Sequence, residues 1–231
     1  MKINFLRYST IVLWTVLAGL FSCNEPITDF GFDGQISGIV TDNSGNPVSG
    51  DPKLATYSVH ALGELDNVPM VMRILGDGTY ANIMLYPQSY KVTLRGPFIE
   101  STTDTIVVDL TGGKIVTQNF TVTPLLTIPP PSISGNPTAT GVNVSYSITG
   151  NGGNTPNRRE IYVSTVSWPT RTTGSGMGYS SVNHTVTEDS GTANITGLQP
   201  GTRYFVRVGA RADGQSLYNH SEQIVFTTPA N

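Results

Sequence analysis

The chain has 231 residues and a formal net charge of −3, with 38% hydrophobic and only 13% charged residues. It has no basic block, which argues against nucleic acid, and its single cysteine excludes an intrachain disulfide and any cysteine-based zinc site. The 25 glycines and 15 prolines point to turn-rich all-β structure, in one large domain or two of about 100 residues each.

The chain opens with Lys2 and Arg7, followed by an apolar run from Ile11 to Phe21. That run has signal-peptide length and is short for a membrane span. It ends in Leu20-Phe21-Ser22-Cys23, which carries the only cysteine. An apolar residue and a small serine before cysteine match a bacterial lipobox, although Phe21 departs from the commonest pattern. Cys23 is then the first mature residue and the site of lipidation. An ordinary cleaved signal and a short membrane anchor are the competing readings. The next residues, with Glu25, Pro26 and Asp29, form a short acidic tether. It resembles the export signal of Bacteroidetes surface lipoproteins, which implies an outer-membrane protein facing the cell exterior.

From Gly31 to Thr123 the pattern is that of short strands. Ile36, Gly38 and Val40 share one face of the first, and Asp42 to Pro47 is a dense turn. Tyr57, Val59 and Ala61 alternate in the second. Pro69 to Leu75 and Thr79 to Leu85 flank Asp77-Gly78, which predicts a hairpin. Tyr90, Val92 and Leu94 alternate next, then Ile106, Val108 and Leu110, and a last strand ends at Phe120 and Val122. Gly38-x-Val40-x-Asp42-x-x-Gly45-x-Pro47, Asp77-Gly78-x-Tyr80 and Tyr90-x-Val92 resemble the carboxypeptidase-regulatory-like β-sandwich. That family's module is non-catalytic, and Gln88 stands where it usually has glycine.

Pro129 to Pro131 mark a stiff hinge. Beyond it, strands are predicted around Val142 to Tyr146, Ile161 and Val163, Ala193 to Leu198, Tyr204 to Ala210 and Gln223 to Thr228. Phe205, Arg207 and Gly209 face the side opposite to Tyr204, Val206, Val208 and Ala210. Leu198-x-Pro200-Gly201-Thr202-x-Tyr204-x-Val206-x-Val208-x-Ala210, with Phe226-Thr-Thr-Pro229, resembles the fibronectin type III fold. The resemblance implies a tyrosine corner at Tyr204, its ring in the core and its hydroxyl bonded to backbone just upstream.

The predicted architecture is two tandem all-β sandwiches behind a lipoprotein signal. Residues 1–22 are the signal, 23–30 the tether, 31–124 the first sandwich, 125–131 the hinge and 132–231 the second sandwich. The whole resembles Bacteroidetes lipoproteins of SusC/SusD-type glycan-utilisation loci. This implies non-catalytic binding of a polysaccharide or oligosaccharide, or a structural, protein-docking role beside SusC/SusD-type outer-membrane proteins.

No catalytic motif surrounds the three histidines, and no cofactor or metal is expected. Asp42 to Asn46 superficially resembles a calcium loop but lacks the trailing glutamate, and reads as a turn. The long polar stretch from Ser164 to Ser181 is the leading binding candidate, since long sandwich loops are natural sites. It carries Trp168, one of only two tryptophans, together with Arg171 and Tyr179. A flat indole can stack on sugar C–H faces while arginine reads hydroxyls. The competing reading has Trp168 covering the sandwich edge or packing on the first module. Tyr218, with His220, is the further candidate, against the reading that both are ordinary loop residues.

Overall fold

The computed structural model describes residues 31–51, 56–99, 105–173 and 180–230. The first sandwich comprises β1 (Gly34–Asp42), β2 (Ser58–Gly63), β3 (Met70–Arg73), β4 (Thr79–Leu85), β5 (Ser89–Arg95), β6 (Thr105–Asp109), β7 (Ile115–Thr117) and β8 (Phe120–Val122). One sheet has the order β4-β1-β7, with β8 also on β1; the other runs β3-β2-β5-β6. Ile36 and Val40 from the first sheet meet Tyr57, Val59, Ala61, Tyr90 and Val92 from the second in one buried core. Period-2 alternation places these side chains there, as each strand turns every other residue inward.

The Asp77-Gly78 turn forms: Leu75 O accepts from the Gly78 N–H at 3.1 Å, and Gly78 has a φ of +80°. The hairpin predicted around it does not form. β3 pairs with β2, whereas β4 pairs with β1, so this turn carries the chain from one sheet to the other. Both flanking segments bury apolar residues, Met72 and Ile74 before the turn and Tyr80 and Leu85 after it. Facing sheets satisfy both sets, whereas one flat hairpin would expose part of them. The Asp42 segment is a turn closed on itself. The Asp42 carboxylate accepts from the N–H groups of Ser44 (2.8 Å) and Asn46 (2.9 Å) and from the Asn46 side chain (3.1 Å). Gln88, in the usual glycine position, is buried and ties the β2–β3 loop through Leu65 N–H and the Asp66 carboxylate.

The second sandwich comprises β9 (Leu126–Thr127), β10 (Ser132–Ile133), β11 (Gly141–Ser147), β12 (Thr149–Gly150), β13 (Pro156–Ser164), β14 (Ser181–Val186), β15 (Ser190–Thr196), β16 (Arg203–Ala212), β17 (Asn219–His220) and β18 (Ile224–Thr227). One sheet runs β10-β11-β15; the other runs β14-β13-β16-β17, with β18 also on β16. Its core gathers Val142, Val144, Ile161, Val163, Ile195, Tyr204, Val206 and Val208. Leu125, Leu126 and Ile128 belong to the same core. The segment before the prolines is thus an anchored strand, β9, paired with β12.

Tyr204 forms the predicted corner. It is fully buried, stacks on Phe226 with centroids 5.7 Å apart, and accepts the Gln199 N–H at 2.9 Å. The bond helps pin the crossing from β15 to β16, beside Leu198 in the core and the hydrogen bonds of Thr228 with Gln199 and Thr202. Tyr204→Phe keeps the ring and removes only this bond, so urea denaturation should show a loss of about 1 kcal/mol with an unchanged m-value.

Candidate functional site

Strand alternation gives the β13–β16 sheet a second face, opposite its core. Glu160, Tyr162 and Ser164 from β13 lie on it, in register with Gly209, Arg207 and Phe205 of β16. A sandwich standing alone would show this face to water. Here Glu160, Tyr162, Ser164 and Arg207 are all buried, Arg207 against Ser49 and Gly50 of the first sandwich and Tyr162 beside the His220 ring. Arg207 has no exposed surface at all. Its Nη2 donates to Ser49 Oγ at 2.6 Å and to the Gly50 carbonyl at 2.9 Å, and its Nε donates to the Ser221 carbonyl at 2.8 Å. Burial pushes the guanidinium down to about 9, opposed by the nearby Asp51 carboxylate, so it remains charged at neutral pH.

β17 wedges into the same seam. Asn219 Nδ2 donates to the Tyr57 hydroxyl (2.5 Å) and the Pro97 carbonyl (2.9 Å), while its Oδ1 accepts from Leu126 N–H (3.1 Å). His220 forms a backbone bridge with Ser49 and its ring lies 6.0 Å from Tyr162. Gly209 makes this possible. A Cβ there would come within 2.6 Å of the Tyr162 ring and 2.9 Å of His220.

Trp168 belongs to the seam as well. Its indole lies against Gly76 of the first sandwich, where an added Cβ would fall 2.0 Å from Cδ2, and it faces the Arg207 guanidinium at 5.6 Å. Its φ is +54°, unusual for a residue with a side chain, and its N–H donates to Gln223 Oε1 at 2.6 Å. The ring's close partners are therefore within the protein, which is the packing alternative weighed for it. Tyr179 lies outside the described residues.

Arg171 and Tyr218 do come together. They border one cavity of about 310 Å³, walled by Asp51 and Thr56 from the first sandwich and by Arg171, Thr172, Tyr218 and His220 from the second. Tyr218 is not a surface loop residue: it is 5% exposed, stacked on His220 at 6.1 Å and faced by Arg211 at 5.9 Å. His220 is 8% exposed. The Tyr218 hydroxyl and His220 Nδ1 are both buried without a hydrogen-bond partner among the described residues. Burial raises the Tyr218 hydroxyl, with the Glu160 carboxylate adding to it, so the phenol keeps its proton. The cavity beside Arg171 and Tyr218 offers hydrogen-bonding groups.

Two other cavities differ in character. One of about 360 Å³ shares His220 and is lined by Tyr57, Ile128, Pro129 and Glu222. Another, about 370 Å³ in the first sandwich, is of mixed character, with Leu94, Phe98 and Phe120 beside Asn43, Asn119 and Thr123. Glu160, Arg207 and Asp51 were not foreseen as site residues. The only signal was that Arg207 and Gly209 alternate on the non-core side of their strand, and alternation does not say what covers that side.

Residues 34–123 match the family model for the N-terminal domain of DUF3823, a protein family of unknown function. No curated protein matches the chain. Among solved structures it is similar to a DUF3823 family protein from Bacteroides ovatus ATCC 8483, with 21% identity over 84% of this chain and 98% of that one and a TM-score of 0.63. It is also similar to a "putative carbohydrate binding protein" from Bacteroides uniformis ATCC 8492, with 19% identity, 85% and 100% coverage and a TM-score of 0.64. A DUF3823 family protein from Parabacteroides merdae ATCC 43184 gives 19% identity, 84% and 98% coverage and a TM-score of 0.63. At these identities the likeness is one of fold, and its extent takes in both sandwiches.

Burial, and then the neighbouring Arg207 guanidinium, hold His220 well below the usual imidazole range. The folded chain therefore leaves it neutral at a pH where the unfolded chain protonates it. Stability should be full above about pH 6.5 and fall below it by about 1.4 kcal/mol per pH unit, until His220 itself takes a proton. The groups about it are Arg207, Asp51, Tyr162 and Tyr218. Denaturation from about pH 7.5 down to about pH 5 should show stability level at first and then falling toward this slope, and His220→Gln should reduce the fall. A smaller slope from His60, lowered by burial and by Arg95, should persist in the variant.

Proposed function

We propose that this is a non-catalytic carbohydrate-binding protein of the outer cell surface, anchored by lipid on Cys23, which takes a sugar in the cavity between its two sandwiches. The observation that carries this reading is the pair of buried polar atoms without partners, the Tyr218 hydroxyl and His220 Nδ1, on one wall of that cavity. Native proteins leave few such atoms, and each one calls for a reason. A polyhydroxylated ligand supplies both donors and acceptors. Arg171 at the rim adds a guanidinium with 48% of its side chain exposed. The carbohydrate-binding name of the Bacteroides uniformis neighbour points the same way.

A second reading, docking to a protein partner such as a SusC/SusD-type complex, draws on the edges of the first sandwich. Val68, Ile83 and Met84 are 74%, 63% and 65% exposed beside the outer strands β3 and β4. Neighbouring exposed apolar groups on strand edges favour contact with another chain.

Tyr218→Phe separates a binding role from a structural one. The hydroxyl has no hydrogen-bond partner among the described residues, so its removal should leave stability unchanged or slightly raised. Affinity for an oligosaccharide, measured by calorimetry, should drop about fivefold or more, the value of one lost hydrogen bond. A variant that binds as well as the parent removes this cavity as the sugar site. For the anchor, labelling cells with an alkyne fatty acid should tag the chain, and Cys23→Ser should abolish the tag.

A further inference from the structure

The charge around the cavity is unbalanced in one direction. One guanidinium, Arg171, and one carboxylate, Asp51, line the cavity itself; behind its wall the face of the β13–β16 sheet adds three guanidiniums, from Arg158, Arg207 and Arg211, and one carboxylate, Glu160. This occurs in a chain whose net charge is −3. The two acids are already committed. Glu160 Oε1 accepts from Arg158 Nε at 3.0 Å and lies 3.0 Å from its Nη2, and Glu160 Oε2 accepts from the Tyr162 hydroxyl at 3.0 Å. Asp51 is the carboxylate that supports the charge of Arg207.

Arg171 and Arg211 are left over. Arg171 Nε stands 3.8 Å from Glu160 Oε1, too far for a hydrogen bond. Among the described residues, Arg211 hydrogen-bonds the neutral Asn157 amide oxygen at 3.3 Å and faces the Tyr218 ring, and its Nε is buried without a partner. The acid nearest that contact, Asp213, is held by the Asn157 amide group at 3.0 Å. Arg207 Nη1 is likewise buried without a partner. Among the described residues, the buried groups without a hydrogen-bond partner here include three donors, Arg211 Nε, Arg207 Nη1 and the Tyr218 hydroxyl, and one acceptor of the neutral imidazole, His220 Nδ1; Tyr218 and His220 line the cavity together with the half-exposed Arg171. Arg158, Arg171 and Arg211 all act electrostatically on that hydroxyl, against Glu160 alone.

From this surplus of donors and positive charge we infer that the cavity selects an anionic sugar residue, one bearing a carboxylate or a sulfate. A neutral sugar hydroxyl both donates and accepts, and leaves the two guanidiniums uncompensated. An anionic group accepts only, and hydrogen bonds between ions are roughly twice as strong as neutral ones. Arg171 is the selecting residue, since it lines the cavity with its fork exposed; the Tyr218 hydroxyl donates beside it. The inference rests on the proposed sugar site and deepens it.

Calorimetry on the full chain in detergent, with three matched oligosaccharides, tests it. An oligogalacturonate supplies carboxylate alone, a carrageenan oligosaccharide sulfate alone, and a galactan oligosaccharide no charge. One charged ligand should bind about tenfold or more tightly than the galactan, with a preference that weakens as salt is raised. Which one it is tells carboxylate from sulfate. Arg171→Gln should erase the preference and Arg171→Lys should keep part of it. Equal binding of all three overturns the charge selection and leaves the sugar site standing. A preference that survives in Arg171→Gln overturns the assignment to this cavity. Binding of none overturns the sugar site and the selection together.

Discussion

The structure depends on one buried cation. Arg207 sits in the middle of a β-strand, on the side away from its own core, and is wholly enclosed. Taking a guanidinium out of water is costly, and the cost is tolerable only where hydrogen bonds and an opposite charge replace the lost hydration. The first sandwich provides that replacement in Ser49 Oγ and the Gly50 carbonyl, with the Asp51 carboxylate nearby. The second sandwich alone could offer Arg207 only the Ser221 carbonyl and the indole of Trp168. The arginine therefore has its Nη2 partners and its counter-charge only when the two sandwiches are together, which makes it a lock on their arrangement as much as a contact.

A seam of this kind differs from a core. Each sandwich has its own apolar cluster, and neither cluster crosses the boundary. What crosses it is largely polar, Arg207 to Ser49, Asn219 to Tyr57 and the backbone bridge between Ser49 and His220, with the Trp168 indole against Gly76 beside them. Residues Asp33–Asn231 nonetheless form a single compact unit. Hydrogen-bonded groups hold directions that close packing would not respect, and gaps follow where their geometry and the two surfaces disagree. The cavity bounded by Asp51, Arg171 and Tyr218 is such a gap, and both sandwiches furnish its walls. A ligand there touches both at once, so binding and the integrity of the seam are coupled.

Much of this was legible in the sequence, for a stated reason. Alternation fixed which residues of each strand face inward, so Tyr57, Val59, Ala61, Tyr204, Val206 and Val208 are all where period 2 puts them. The corner at Tyr204 was legible because its turn is local. The exchange of sheets between β3 and β4 was not, since one Asp-Gly turn serves a hairpin and a crossover equally well. The short strand β17 was hidden too. Asn219 and His220 lack strand-forming character, and they are held extended by partners distant in sequence, Tyr57, Leu126 and Ser49. Arg171 and Tyr218 could be singled out by type, but their meeting depends on the seam, and nothing local in either sandwich encodes the seam.

Trp168 shows how the seam reaches the cavity. Its left-handed backbone costs of the order of 1–3 kcal/mol, and such a conformation persists only where the surroundings over-determine it. Three constraints do so: the Gln223 side chain on its N–H, the bare Cα of Gly76 beneath its ring, and the Arg207 guanidinium opposite. The chain continues through buried Pro169 and Thr170 into a turn that Thr173 closes on Thr170, and Arg171 stands at its exposed apex. The Arg171 carbonyl is held in turn by Asn183 of β14, at 3.1 Å. The indole is therefore the peg from which the cavity's rim is hung. Its position is set by a glycine of the other sandwich and by the same arginine that locks the two together. The aromatic residue that looks in sequence like a surface for sugar packs instead one step back from the cavity, and the turn that follows it sets the Arg171 guanidinium at the rim.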